Sequence, residues 1–152
     1  MYRLGGESTG RKARGIVRGA RYNVAMDSVQ RARRIIAGEA AVLQQLADRI
    51  DDTFAAVVQR ILALPGRVVT AGMGKAGIIG QKISATLSST GTNSIFLHPA
   101  EAFHGDLGML TRQDVIIAIS GSGNTQEVVA LLPLIKRINC PMIALTGNAR
   151  SI

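Results

Sequence analysis

The sequence predicts an α/β fold in which a parallel sheet carries helices on both faces. Three observations point there. Short, near-continuous apolar runs alternate with longer amphipathic stretches from residue 67 onward, and glycine-rich turns follow two of those runs. The third is composition: 152 residues, 47% hydrophobic and 18% charged, with mean hydropathy +0.22. That suffices for one domain and excludes a disordered or collagen-like chain.

The first element is a helix from about Ser28 to Ile50, because Ile36, Leu43, Leu46 and Ile50 form one stripe at helical spacing. Asp51-Asp52-Thr53 offers a cap for a second helix that runs to about Leu64, where Pro65-Gly66 stops it. Arg67–Ala71 reads as a buried strand, Gly72–Gly77 as a glycine-rich turn, and a helix follows through Ile83, Ala85 and Leu87. Ser94–Leu97 is a second strand and Asp114–Ser120 a third. Ser120–Thr125 forms another turn, Glu127–Ile138 another helix, and Met142–Thr146 a fourth strand beyond Cys140-Pro141. Ligands in such sheets bind at the carboxyl ends of the strands, where both glycine-rich turns fall.

The net charge of +8 divides unevenly. Six Lys/Arg side chains against Glu7 alone lie in residues 1–24, a glycine-rich segment without an apolar period that reads as a disordered basic tail. The other 128 residues carry twelve cations and nine acids, so the charge gives little support for nucleic-acid binding. The tail lacks the apolar stretch of a secretory signal. The longest uncharged run, Ile83–Ala100, is broken by serines, threonines, Asn93 and His98 and is no membrane span. A single cysteine, Cys140, forms no internal disulfide or cysteine cage; it fits a reducing compartment and reads as a core residue.

Gly72-Met-Gly74-Lys-Ala-Gly77 has the G-x-G-x-x-G spacing after a strand. The next strand ends at Leu97-His98 instead of the acid a dinucleotide site wants, and Val69 and Ala76 exclude a Walker loop. Lys75 opposes the positive end of a helix dipole, a conflict that an anionic ligand removes; a solvated surface lysine is the alternative. Ser120, Ser122 and Thr125 place three hydroxyls at a helix start, where one would suffice for a cap, which favours binding a phosphate monoester. Glu127, three residues past Asn124, reads equally as a capping-box partner or a general base. His98 and His104, six apart with Glu101 and Asp106 between and beside them, do not have a recognised zinc spacing.

Together these residues resemble the sugar isomerase (SIS) domain, and specifically the D-arabinose 5-phosphate isomerase family. The match runs over roughly residues 30–150, through Gly72–Gly77, Ser89-Thr-Gly91, His98–Met109, Ser120–Gly123, Leu132–Arg137 and Leu145-Thr-Gly147. Its most specific part is the H-P-x-E-x-x-H-G-D-L-G-M run. The resemblance implies a three-layer αβα sandwich, a homo-oligomer (dimer or tetramer), a cytoplasmic setting, and no metal or organic cofactor. It implies interconversion of D-ribulose 5-phosphate and D-arabinose 5-phosphate, feeding Kdo synthesis for lipopolysaccharide. By position, Lys75, His104 and Glu127 fall on catalytic residues, and Gly74 lies in the same turn as Lys75. Gly91 and Thr92 fall on a substrate-lining turn, Ser120, Ser122 and Thr125 on the phosphate loop, and His98 on a position associated with inhibitory zinc. The family pattern continues into a fifth strand and further helices. Residues 25–152 are therefore expected to be an SIS domain without its C-terminal part, which raises an inactive fragment as an expectation. A sugar-phosphate sensor without catalysis is the second reading; neither reading calls for nucleic acid or membrane as partner.

Overall fold

The computed structural model describes residues 27–151, so the basic segment 1–24 lies outside the described residues. The described residues divide into two compact units, 27–49 and 50–151.

In the first unit, α1 (Ser28–Ala47) starts where the Asp27 carboxylate accepts from the Val29 amide at 3.3 Å. It ends three residues before the expected Ile50, because the amides of Asp48 and Arg49 turn back to the carbonyls of Gln44 and Leu46. The apolar stripe is there, but α1 buries none of its residues.

The second unit opens with α2 (Asp52–Leu62), capped by Asp51, whose carboxylate accepts from the Thr53 amide at 2.9 Å. Then follow β1 (Val68–Gly72), α3 (Gly74–Ser89), β2 (Ser94–Leu97), the short α4 (Pro99–Ala102), a 3-10 turn (Asp106–Met109), β3 (Val115–Ser120), α5 (Gln126–Ile138) and β4 (Met142–Thr146). All four strands lie within a few residues of the spans expected from the sequence. The sheet is wholly parallel in the order β2-β1-β3-β4. Pairing of Val69 with Ile116 and of Ala71 with Ala118 puts alternate residues of the central strands on one face, where Leu131 and Ile135 of α5 and Ala102 of α4 close the core. The other face meets α3: the Thr70 hydroxyl donates to the Gly80 carbonyl at 2.8 Å. The result is the three-layer αβα sandwich.

β1 passes into α3 within two residues. A Cβ on Gly77 would stand 2.6 Å from the Gly72 carbonyl oxygen, so the turn is too tight for any side chain at that corner. The other edge of the sheet is pinned by Asp114, 2% exposed. Its carboxylate accepts from the Arg67 amide (2.7 Å), from Nε and Nη2 of Arg67 (3.4 and 3.3 Å), and from the amide and hydroxyl of Thr111 (2.8 and 3.0 Å). Burial alone would raise its pKa; the Arg67 side chain and these amide and hydroxyl donors outweigh it and hold the carboxyl below its ordinary value.

Candidate functional site

Strand order decides where a site can form. β1 leads to β2 on one side and β3 to β4 on the other, so the chain reverses direction between β1 and β3, and their carboxyl ends border the crevice of a doubly wound sheet. Gly72 of β1 pairs with Ile119 of β3, so the Gly72–Gly77 and Ser120–Thr125 turns leave the sheet side by side.

The first turn presents Lys75 in the opening turn of α3, exposed, with no ion-pair partner among the described residues. Gly74 beside it has φ +53, and Met73 at the N-cap gives the helix no side-chain bond. The first amides of α3 therefore remain available to an anion.

The second turn is organised from within. Ser120 Oγ accepts from the Gly123 amide at 3.0 Å and shares a hydrogen with Thr125 Oγ1 at 2.8 Å, while the Asn124 amide donates to Ser122 Oγ at 3.2 Å. Ser120 is only 5% exposed, whereas Thr125 is half-buried and Ser122 exposed. If Ser120 donates to Thr125, the Thr125 hydroxyl keeps its own hydrogen for a ligand. Ser120 thus shapes the loop, and Ser122, Thr125 and the first amides of α5 face outward. Thr125 is the N-cap of α5, which puts Glu127 at the second helical position instead of the third. The capping box with Asn124, one of the two readings of Glu127, therefore does not form, and the exposed Glu127 carboxylate has no partner among the described residues beyond the helix dipole.

Next to β1, β2 ends in His98, the N-cap of α4. The His98 ring meets Phe96 edge-on at 6.3 Å, and its Nδ1 is buried without a partner. His104 follows α4, exposed, its amide bonded to the Glu101 carbonyl at 2.9 Å. Among the described residues no three His, Cys, Asp or Glu side chains gather as a metal requires, so His98 does not by itself make a zinc site.

Gly91 and Thr92 lie apart from this crevice within one chain. They follow α3, which runs back along the sheet for 16 residues, about 24 Å. The next residue, Asn93, accepts from the amide of Val68 at the start of β1. Within one chain this turn sits at the edge opposite Lys75, because β1 and β2 are parallel and α3 must return the chain to the amino ends of the strands.

The segment after β4, read in the sequence only as the Leu145-Thr-Gly147 match, also contributes. The Gly147 amide donates to the Gly121 carbonyl at 3.1 Å, the Asn148 side-chain amide to the Ser122 carbonyl at 3.5 Å, and Ser151 occupies the space where a Gly123 side chain would go. The Thr146-Gly147-Asn148 run, turn formers directly after a strand, was the available signal.

A family model described as the SIS domain matches residues 61–152. The arabinose 5-phosphate isomerase KdsD of Pseudomonas aeruginosa is 52% identical over 126 residues, covering 83% of this chain and 39% of that protein. The chain thus spans about two fifths of the length of the curated relatives it matches. Among solved structures, Escherichia coli CFT073 c3406 in complex with arabinose 5-phosphate is 38% identical with TM-score 0.76, covering 83% of this chain and 69% of that one. The Vibrio vulnificus NanR protein complexed with ManNAc-6P is 25% identical with TM-score 0.65, covering 76% and 45%.

Proposed function

Because this chain belongs to the SIS domain family, in its arabinose 5-phosphate isomerase branch, we propose that it is a sugar-phosphate isomerase domain that interconverts D-arabinose 5-phosphate and D-ribulose 5-phosphate. One observation carries the reading: the Gly72↔Ile119 register brings an unpaired cation and a hydroxyl-lined turn to the same crevice. In this reading the phosphate sits on Ser122, Thr125 and the opening amides of α5, fixed neutral donors suited to a monoester dianion.

The reaction moves one proton between adjacent carbons. Glu127 takes the proton from C2 of the open-chain aldose, and the electron pair moves into a C1–C2 double bond as the C1 carbonyl becomes an enediolate oxygen. Lys75 stabilises that oxyanion, His104 relays a proton between the two oxygens, and Glu127 returns the carbon proton to C1 to give the ketose. No metal or cofactor enters these steps. Gly91 and Thr92 line substrate in this reading only if a second copy supplies them, which together with the exposed apolar residues of α1, α2 and β4 supports a homo-oligomer. The same reading has the protein working in the cytoplasm, upstream of Kdo; among the described residues no helix is long and apolar enough to cross a membrane.

The likeness to the ManNAc-6P-bound NanR protein favours, as a second reading, a sensor that binds without turnover. Incubation of the chain with D-arabinose 5-phosphate in deuterated water separates the two. The isomerase reading expects ketose carrying solvent deuterium. Binding without isomerisation or exchange ends the claim of turnover by this chain, and absence of binding ends the phosphate assignment.

A further inference from the structure

The opposite edge of the sheet holds a feature that the isomerase chemistry leaves unused. Where α2 ends and β3 and β4 begin, a depression of about 610 Å³ opens among the α2–β1 connection, the loop before β3 and the residue before β4. Its floor is apolar, from Leu64, Pro65 and Pro141, and Arg60 and Arg112 line it from two separate segments. Neither arginine has a hydrogen-bond or ion-pair partner among the described residues. Asp114 also lines the depression, but its carboxylate is saturated by Arg67 and Thr111, so it does not neutralise them. The last turn of α2 accounts for a cation at Arg60 through the helix dipole. It does not account for Arg112, which belongs to no helix and borders the same hollow.

We propose that this depression is a second, separate binding site whose ligand is a nucleoside phosphate. Two planar guanidinium groups suit a phosphate held through paired hydrogen bonds. The proline and leucine floor suits the flat face of a base, which a small polyhydroxy sugar phosphate lacks. The side-chain amides of Gln59 and Gln113 line the same depression and can match donors and acceptors on a base edge. The volume lies within the range of small-ligand sites, about 300–1,000 Å³. The length of a five- or six-residue strand, about 17–20 Å, separates it from Lys75, so its occupant does not compete with the sugar phosphate.

The test is titration of the isotopically labelled full chain with AMP, read by amide chemical shifts. The expected result is movement at Arg60, Leu64, Arg112 and Gln113, and a loss of AMP affinity of about tenfold or more in the R60Q/R112Q double variant. That variant should keep its melting temperature and its binding of D-arabinose 5-phosphate, and Lys75→Ala should leave AMP binding intact. Shifts confined to residues 74–76 and 121–127 would show AMP in the sugar-phosphate crevice and overturn the proposal. Inorganic phosphate binding the arginine pair as tightly as AMP would overturn the nucleoside assignment. No response to millimolar AMP, or equal AMP affinity in the double variant, overturns the site itself.

Discussion

The two edges of one sheet are built on opposite principles. At the amino edge Asp114 is almost fully buried and accepts bonds from Arg67 and Thr111, so that charge is spent on holding β1, β3 and the loop before β3 together. At the carboxyl edge Lys75 and Glu127 stand exposed at helix starts without partners among the described residues, and His104 is exposed beyond a one-turn helix. A buried charge must be paired to be tolerated, whereas an exposed one stays solvated without a partner and, in the proposed function, is left free to meet substrate. Under the proposed function, stability and chemistry fall at different ends of the same strands.

The largest expected effect tests the pinned edge. Asp114→Ala leaves Arg67 and Thr111 without their acceptor and should cost about 3–5 kcal/mol in denaturant unfolding. A loss under about 1 kcal/mol breaks the contrast. The carboxyl edge should behave in the reverse way: Lys75→Ala should lower turnover by about 10²–10³-fold with little change in KM or melting temperature. A pure loss of affinity would make Lys75 a binding residue only.

A titration sharpens the same comparison. The folded pKa of Asp114 lies below its unfolded value, so the stability it contributes is full above the unfolded value near 4 and is lost as pH falls through the folded one. Unfolding free energy measured from pH 6 downward should therefore decline below about pH 4. The decline should be shallower in Asp114→Asn. The smallest effect concerns the segment that braces the phosphate turn. Asn148→Ala removes two exposed hydrogen bonds, the long one to the Ser122 carbonyl and the one its Oδ1 accepts from the Arg150 amide at 3.0 Å, and should cost about 1 kcal/mol, appearing as a raised KM for sugar phosphate with kcat retained. A reduced kcat at unchanged KM would place Asn148 in the chemistry itself.

How much of this was readable beforehand follows from the range of the forces involved. The strands and helices α2, α3 and α5 emerge from apolar runs, Pro65-Gly66 and the glycine turns, all local signals. Residues 99–109 take no element assignment from the sequence; their one-turn helix opens at Pro99 and buries Ala102 in the core, and Leu110, just past the 3-10 turn, joins the same cluster. Of the two readings of Glu127, the capping box with Asn124 does not hold, because α5 starts one residue later, at Gln126 with Thr125 as its N-cap.

The amino-acid order alone determined which segments are strands, which turns carry hydroxyls and lysine, and that a phosphate suits them, since each depends on neighbours a few residues apart. Only the tertiary structure decided that β1 lies beside β3 and not β4, that Gly91 and Thr92 lie at the far edge from Lys75, and that the loop after β4 braces the phosphate turn. Those outcomes rest on backbone pairings between residues tens of positions apart, as between Val69 and Ile116, which no local pattern encodes.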